Sequence, residues 1–338
     1  MDIKNETLQN VILSLNPSYL NLVLFSTEHC NFRCHYCYED YKIGRMKPDV
    51  VLGIKNLLHH RYKSLKLLEV SWFGGEPLLA KDVIFEISET ILSLQEQNPD
   101  LKYAANITTN GYFLTKYVAE ELINYGISTY QISLDGDRQL HDTTRVLNNG
   151  KGSFDVIMSN LLALKEIEAE FTVLIRIHYQ KSTYVELKSL IDTLNNEFGG
   201  DLRFEFYFKS VDRLGGENDE DIELLSLIEK AEIEAYLKNF VADSRQIYSL
   251  SNQYICYASK ANSLAIRANG RIAKCTVALD DERNDIGYIQ EDGKLCLFQE
   301  KLKPWIKGLE NLDLKTLACP WESLKPNKTP IQKMESSK

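Results

Sequence analysis

The stretch Cys30-Asn31-Phe32-Arg33-Cys34-His35-Tyr36-Cys37 places three of the seven cysteines of the chain in one short loop. Thiols so close together are poorly placed for disulfide bonds among themselves, whereas thiolates on a tight loop are the ligands that iron–sulfur clusters and zinc require. A zinc ribbon would need a second C-x2-C pair nearby, but no further cysteine occurs before Cys256. Three protein ligands would leave one coordination position open for an exogenous molecule, which distinguishes a reactive metal centre from a structural one.

Composition and charge are those of an ordinary globular protein. The chain has 338 residues, of which 44% are hydrophobic and 26% charged, enough for one large domain and a small one. Neither a signal peptide nor a stretch of roughly 18 apolar residues is recognisable. We therefore expect a cytoplasmic protein whose odd number of cysteines fits metal ligation better than disulfides. The net charge of −9, without a long Lys/Arg run, argues against a nucleic-acid partner, and we expect no membrane partner.

Apolar, β-rich runs alternate with helical patterns through the first two thirds of the chain. Periodicity predicts strands and helices in turn, the strands at 21–26, 67–73, 103–108, 127–134, 171–179 and 202–208 and the helices at about 49–62, 82–97, 116–125, 153–168 and 184–197. Strands joined by helical crossovers indicate an α/β fold with a parallel sheet covered by helices. In such folds, functional residues collect at the carboxyl ends of the strands.

A glycine-rich motif ends the second strand: Trp72-Phe73-Gly74-Gly75-Glu76-Pro77. The two glycines would permit close approach of the backbone to a ligand, and Glu76 supplies a carboxylate able to hold an ammonium group. A plain turn closed by Pro77 is the structural alternative.

A polar series follows the fourth strand. It runs from Ser133-Leu134-Asp135-Gly136 through His141-Asp142-Thr143-Thr144-Arg145 to Gly152-Ser153-Phe154. The structural alternative for Arg145 is an ion pair with Asp142 on a helix face. We expect His141 to cap a helix or to support other residues rather than to bind a metal.

The remaining cysteines fall in the last third of the chain. Between Cys256 and Cys275, the run Ala265–Cys275 predicts a two-stranded hairpin turning at Asn269-Gly270, which would bring Cys275 back near the base of the first strand. Cys319 lies far downstream, before Pro320. Cys296 is expected on a strand as a small buried hydrophobic residue.

The C-x3-C-x2-C spacing, with Tyr36 before the last cysteine and six β/α units around it, resembles the signature of the radical S-adenosylmethionine (SAM) enzymes. The resemblance implies a partial (β/α)6 barrel and a [4Fe–4S] cluster on Cys30, Cys34 and Cys37 that binds SAM. It also implies further contacts with SAM. These would come from the aromatic Tyr36, from the Gly74-Gly75-Glu76-Pro77 motif at the methionine amino group, and from Ser133 and Arg145 at the ribose or carboxylate.

The spacing around Gly270 resembles the opening of the SPASM domain, but the further cysteine pairs of a full SPASM domain are not in this sequence. The shorter twitch form, a β-hairpin with helices, carries one auxiliary [4Fe–4S] cluster, which the resemblance assigns to Cys256, Cys275 and Cys319 with the fourth ligand open. Anaerobic sulfatase-maturating enzymes have a catalytic aspartate directly after the hairpin cysteine. Here that position is Thr276, which counts against sulfatase maturation.

The predicted organisation has five parts. These are a lead-in over 1–19 with a short helix or an edge strand, the radical SAM barrel over 20–216, a bridging helical segment over 217–245, a twitch/SPASM-like domain over 246–325 and a flexible tail over 326–338.

The resemblance implies an enzyme that cleaves SAM to a 5′-deoxyadenosyl radical and abstracts hydrogen from a ribosomally made precursor peptide. The expected product is a C–C, ether or thioether crosslink between side chains. The expected partners are the precursor peptide, which a separate leader-recognition protein would help to hold, and an external reductant such as flavodoxin or ferredoxin. Two alternatives remain open: a radical SAM enzyme acting on a small molecule or cofactor precursor, and a non-catalytic iron–sulfur or zinc protein serving as scaffold or electron carrier.

Overall fold

The structure of the protein is a computed structural model that describes residues 3–249 and 254–324. Its strands are β1 Tyr19–Thr27, β2 Phe32–Cys34, β3 Leu67–Gly74, β4 Lys102–Thr109, β5 Ile127–Leu134, β6 Arg145–Leu147, β7 Thr172–Tyr179, β8 Phe204–Ser210, β9 Ser263–Ile266, β10 Arg271–Ala273, β11 Gly287–Ile289 and β12 Leu295–Leu297. Its helices are α1 Ile3–Leu15, α2 Pro48–Arg61, α3 Lys81–Gln97, α4 Lys116–Asn124, α5 Arg138–Thr144, α6 Phe154–Leu164, α7 Leu187–Phe198, α8 Leu227–Lys238, α9 Gln299–Ile306, α10 Gly308–Asn311, α11 Leu314–Ala318 and α12 Pro320–Leu324. None of these helices has the length and apolar character needed to cross a bilayer.

Six parallel strands form the larger part of the central sheet, in the order β1-β3-β4-β5-β7-β8. They are the six strands predicted from the sequence, and the predicted crossover helices are α2, α3, α4, α6 and α7. The bounds shift by a few residues, most at the ends of α6 and α7. Because β1 and β8 lie at opposite ends of this series and do not pair, the arrangement is a partial (β/α)6 barrel, and the α/β fold class is confirmed.

Alternation along the strands separates apolar from polar side chains. In β7, Val173, Ile175 and Ile177 are buried, whereas Arg176 and His178 on the other face are only partly buried. The same alternation in β5 and β8 buries Ile132 and Phe206 in the core. Since successive side chains of a strand point to opposite faces, the polar members of these strands share the inner face of the barrel.

The last third of the chain continues the same sheet. β9 pairs in parallel with β1, with Asn21 opposite Ser263 and Leu24 opposite Ile266, and β10, β11 and β12 follow as antiparallel neighbours. The predicted hairpin is present, and its turn contains Gly270 at φ +84°. The hairpin that precedes Cys275 therefore extends the sheet directly from the first barrel strand.

The segments outside the barrel agree with the sequence in part. The lead-in contains a helix, α1, rather than an edge strand, and the bridging segment contains α8. The domain limits remain predictions, and the expected tail over 326–338 lies outside the described residues.

Candidate active site

The cysteine loop begins where β1 ends and is fastened by a short antiparallel pair. β2 pairs with β6, with Cys34 opposite Arg145, and the Cys37 N–H donates to the Cys34 carbonyl at 3.1 Å. Burial raises the pKa of the Cys34 thiol to about 12, with Arg145 opposing the shift and Cys37 adding to it. Burial also raises the pKa of Cys30, and the charges of Cys34 and Cys37 contribute. The three thiols are close enough to repel one another as thiolates, and bound metal cations would instead stabilise the thiolate forms.

A cavity of about 350 Å³ lies beside this loop, at the carboxyl ends of the parallel strands. Eight residues singled out in the sequence line it: Cys30, Cys34, Tyr36, Cys37, Gly74, Gly75, Ser133 and Arg145. Glu76 and Pro77 are buried and are not among the lining residues. Motifs from β1, β3, β5 and β6 thus meet at one place, at the strand ends where parallel barrels carry their sites.

The two glycines of the second motif allow the backbone of β3 to approach the cysteine loop. A Cβ on Gly74, which has φ +135°, would lie 1.9 Å from the Thr27 carbonyl oxygen. A Cβ on Gly75 would lie 2.6 Å from the His29 carbonyl oxygen. The close contact of β3 with the Thr27 and His29 carbonyl groups therefore already requires glycine at both positions. That the glycines also let a ligand approach the backbone remains a prediction.

Glu76 ties the end of β3 to the end of β4. Its carboxylate accepts hydrogen bonds from the Leu78 N–H at 3.0 Å, the Thr109 hydroxyl at 2.8 Å and the Asn110 N–H at 2.7 Å. Burial raises its pKa to about 6, although these donors oppose the shift. The predicted contact of Glu76 with an ammonium group is not tested by this geometry, which gives the carboxylate a structural role.

A polar network joins the cysteine loop to β5 and β7. The Tyr36 hydroxyl accepts from Arg145 Nη1 at 2.9 Å and lies 2.9 Å from Asp135 Oδ1 and 3.0 Å from His178 Nδ1. His178 Nδ1 is also 3.0 Å from Asp135 Oδ1. Burial opposes ionisation of Asp135, yet the hydrogen bond and charge of His178 bring its pKa well below the usual range. This network fixes Tyr36 and Arg145 at the cavity wall.

The helix-face ion pair considered for Arg145 does not form. Asp142 instead accepts from the Ser153 and Phe154 N–H groups at 2.8 and 3.0 Å. His141 supports its neighbours as expected: its Nδ1 accepts from the Asp135 N–H at 3.3 Å, and its Nε2 lies 3.1 Å from the Ser153 hydroxyl.

Several buried polar atoms at the cavity have no hydrogen-bond partner in the described part of the chain: Arg145 Nε, Arg176 Nε and Glu39 Oε1. Such atoms are costly unless a ligand satisfies them, and SAM carries an ammonium and a carboxylate that could do so. Among residues 3–249 and 254–324, no three His, Cys, Asp or Glu side chains are gathered closely enough to hold a single metal ion. An iron–sulfur cluster is bound through separate iron atoms, so its thiols lie further apart. The cysteines of the loop and the unpartnered polar atoms of the cavity therefore fit an iron–sulfur cluster with SAM bound to it.

The second group of thiols also comes together in space. Burial raises the pKa of Cys256 to about 11, and the charges of Cys275 and Cys319 contribute. The Cys256 N–H donates to the Leu317 carbonyl at 2.9 Å, which holds it against the end of α11 beside Cys319. The Cys275 N–H donates to Asn284 Oδ1 at 3.0 Å. These contacts position three thiols without identifying a fourth ligand.

Cys296 lies apart from that group. On β12 it lies opposite Tyr288 of β11, and Tyr288 lies opposite Arg271 at the start of β10. Cys275 lies beyond the other end of β10. The predicted strand is present as β12, but Cys296 is only partly buried, because β12 is an edge strand. Thr276, at the position of the relatives' aspartate, has its hydroxyl 2.9 Å from that of Tyr257.

Sequence reasoning missed several residues of the cavity wall, among them Arg176, His178, Lys209 and Asp212. For Arg176 and His178 a signal exists, since two basic residues alternate within the apolar run Thr172–Tyr179. Such alternation places both on one face of a strand.

Comparison with known proteins agrees with this site. The family described as the Radical SAM superfamily matches residues 24–194, half of the chain. A cysteine-type anaerobic sulfatase-maturating enzyme of Clostridium novyi is 26% identical over 339 residues, covering 90% of this chain and 85% of that protein. A GTP 3′,8-cyclase of Haemophilus influenzae is 31% identical over 164 residues, and a probable GTP 3′,8-cyclase of Archaeoglobus fulgidus is 35% identical over 117 residues. The match to the Haemophilus influenzae cyclase covers 47% of this chain and 45% of that protein. The match to the Archaeoglobus fulgidus cyclase covers 34% of this chain and 35% of that protein. The chain thus spans less than half the length of either cyclase.

Solved structures share the fold over most of the chain. Native anSMEcpe with bound AdoMet superposes with a TM-score of 0.65 at 15% identity, over 86% of this chain and 82% of that one. Streptococcus suis SuiB bound to the precursor peptide SuiA superposes with a TM-score of 0.62 at 15% identity, over 90% of this chain and 70% of that one. With the family match and the cavity formed by its motifs, the chain belongs to the radical SAM superfamily, whose members use a [4Fe–4S] cluster and SAM.

Proposed function

We propose that the protein removes a hydrogen atom from a ribosomally made precursor peptide and closes a crosslink between its side chains, by a C–C, ether or thioether bond. The observation that carries the proposal is that one cavity is bordered by the first group of thiols and by the segment that follows Cys275. Cys30, Cys34 and Cys37 line it, and so does Val277, two residues after Cys275. A substrate in this cavity would lie beside the SAM-binding cluster and near the segment that follows Cys275.

Tyr38 directly follows Cys37 and lines the cavity. Burial raises its pKa, and the charges of Cys37 and Cys275 both add to the shift. Both cysteines are therefore near this tyrosine, which is partly buried at the cavity wall. This closeness supports an auxiliary [4Fe–4S] cluster on Cys256, Cys275 and Cys319 that could accept an electron during product formation.

Each proposed role belongs to a residue already placed at the cavity. Cys30, Cys34 and Cys37 would hold the SAM-binding cluster, which together with SAM supplies a 5′-deoxyadenosyl radical. Arg145 and Ser133 would bind the charged and polar groups of SAM, and the Tyr36 hydroxyl fixes the Arg145 guanidinium.

The likeness to SuiB bound to SuiA and to a sulfatase-maturating enzyme supports a peptide substrate. Thr276 has no carboxylate to act as a base, which counts against sulfatase maturation. We further propose an external reductant such as flavodoxin or ferredoxin, and a separate protein that helps to hold the leader of the precursor.

A small-molecule reaction is the second candidate. The GTP 3′,8-cyclases favour it, since they are more similar in sequence over their shorter match. A nucleoside triphosphate is strongly anionic and would need cations in the cavity. Arg176 and Lys209 line the cavity wall.

The experiment that tests the proposal uses reconstituted, reduced protein with SAM and a short peptide encoded beside its gene. We expect 5′-deoxyadenosine and a peptide product that has lost two hydrogen atoms, detected by mass spectrometry. The variant in which Cys30, Cys34 and Cys37 are all alanine is the control and should give neither. Conversion of GTP with the peptide unchanged would favour the second candidate, and no 5′-deoxyadenosine under any condition would favour a non-catalytic iron–sulfur protein.

A further inference from the structure

Arg176 is an arginine without a partner at the wall of the cavity. Its guanidinium makes no hydrogen bond or ion pair with any described residue, and its Nε is buried. Arg203 shows the usual pattern in this chain, because it donates to the Asp201 carboxylate and to the Ile167 and Lys165 carbonyls. A buried guanidinium N–H left without a hydrogen-bond acceptor is costly, even where the rest of the side chain is only partly buried. An unpaired guanidinium at the wall of a cavity points to a ligand that pairs with it.

The neighbours of Arg176 do not neutralise it. In the sheet it lies opposite Ser133 of β5 and Tyr207 of β8, and its guanidinium carbon is 5.8 Å from the centre of the Tyr207 ring. Lys209, two residues further along β8, also lines the cavity. An aromatic face can support a cation but leaves its N–H groups free for an anion.

The nearby carboxylate is already shared by two lysines. Asp212 Oδ1 lies 2.6 Å from Lys230 Nζ, and Asp212 Oδ2 lies 3.4 Å from Lys209 Nζ. Arg176, Lys209 and Asp212 line the cavity, so this part of its wall carries two cations and one carboxylate. The summed charge of these three groups is positive, although the whole chain has a net charge of −9.

We propose that Arg176 binds an anionic group of the substrate, which is a carboxylate if the substrate is a peptide. The kind of substrate rests on the proposed function, whereas the anion site rests on Arg176 itself. A planar guanidinium with free N–H groups binds a carboxylate through two parallel hydrogen bonds. Arg145 is the cation of the other wall: it lies opposite Cys34 and donates to Tyr36. The two arginines would thus hold the carboxylate of SAM and the anion of the substrate separately.

The first test measures binding of two neutral-capped amino acids to reconstituted protein saturated with SAM. The probes are N-acetyl-aspartate N-methylamide and its asparagine counterpart, followed by saturation-transfer NMR. We expect the aspartate probe to bind at least about tenfold more tightly than the asparagine probe, the gain typical of a charge-assisted hydrogen bond. Arg176→Met should abolish this preference and Arg176→Lys should restore part of it. Arg138→Met removes the same charge at an exposed position, where Arg138 pairs with Asp155, and should change nothing. Equal binding of both probes to the wild type, with no binding of GTP, would overturn the proposal.

The second test separates the possible sources of the anion. SAM and its decarboxylated analogue are titrated into wild type and Arg176→Met. If the substrate supplies the anion, both should bind the variant within about threefold of wild type. A tenfold or larger loss for SAM alone would place the methionine carboxylate on Arg176 and overturn the proposal. GTP binding that depends on Arg176 would support the anion site while contradicting the peptide substrate.

Thermal stability provides a readout that a merely structural role would move in the other direction. Because Arg176 has no hydrogen bond or ion pair to lose and only the Tyr207 ring beside it, Arg176→Met should leave Tm nearly unchanged or raise it. A lower Tm together with lost probe binding would mean that the side chain supports the fold, and the proposal would fail.

Discussion

Glu28, whose side chain is buried, and Arg267, 239 residues further along the chain, form an ion pair through two nitrogen atoms of the guanidinium. Arg267 Nη2 lies 2.6 Å and Nε 3.2 Å from Glu28 Oε2. The Glu28 carboxylate also accepts from the Ala268 N–H at 3.2 Å, and Arg267 Nη1 donates to the Leu279 carbonyl at 2.8 Å. Glu28 precedes the cysteine loop and Arg267 opens the β9–β10 turn. The pair therefore fixes the two groups of thiols relative to each other.

Breaking this pair from one side should be strongly destabilising. Arg267→Met leaves the Glu28 carboxylate buried without its cation, and we expect a loss of about 3–5 kcal/mol in the free energy of unfolding. The double variant with Glu28→Gln should be less destabilised than Arg267→Met alone, because no uncompensated charge remains. Denaturant midpoints of the reconstituted proteins measure both effects. A single variant as stable as wild type would show that the pair does not hold the two segments together.

Iron content tests the two groups of cysteines. The wild type should hold about eight irons after anaerobic reconstitution, as two four-iron clusters. Replacing Cys30, Cys34 and Cys37 by alanine should leave about four irons and abolish SAM cleavage, since the remaining cluster does not bind SAM.

The matched control is Cys296→Ser, which changes a cysteine on edge strand β12 and should keep all the iron. Loss of the auxiliary cluster in this control would make Cys296 the missing ligand. Absence of iron in the triple alanine variant would show that Cys256, Cys275 and Cys319 hold no cluster.

The Tyr36 hydroxyl should contribute to SAM binding through Arg145. Tyr36→Phe removes the acceptor of the Arg145 Nη1 hydrogen bond, and a hydrogen bond to a charged group is worth about 1.5–3 kcal/mol. We expect SAM affinity to fall by about tenfold or more, as measured by anaerobic calorimetry on reconstituted protein. The control is Tyr117→Phe, at an exposed position where the hydroxyl donates to Glu121. Unchanged affinity in Tyr36→Phe would mean that Arg145 is positioned without Tyr36 or does not contact SAM.

Local sequence patterns predict much of this fold. The strand containing Ile127–Leu134 is found with its predicted bounds, because an apolar alternating run between turn residues determines a strand locally. The cysteine loop and the Ser133 motif were likewise found as short signals. Their meeting at one cavity follows from the rule that parallel strand ends lie on one edge of a sheet.

The remaining features depend on contacts between distant parts of the chain. Nothing local in Ser263–Ile266 indicates that β9 pairs in parallel with β1, since that register arises only when the barrel is complete. The Glu28–Arg267 pair depends on the same register. The roles of Arg176 and Asp135 could not be predicted either: a charged residue in a strand shows its partners, or their absence, only in three dimensions.

His141 should make the protein less stable in mild acid. Burial lowers its pKa to about 4, against the opposing charge of Asp135, whereas an unfolded histidine has a pKa of about 6.5. Between these values the unfolded chain binds more protons, so stability is fully present above about pH 6.5 and is lost as pH falls toward 4. We expect a loss of about 2 kcal/mol between pH 7 and pH 5, measured by denaturant unfolding across that range. His141→Gln should remove this part of the slope, even if the variant is less stable at neutral pH. His59→Gln, at an exposed position on α2, should keep it. The same slope in His141→Gln as in wild type would place the acid sensitivity elsewhere in the chain.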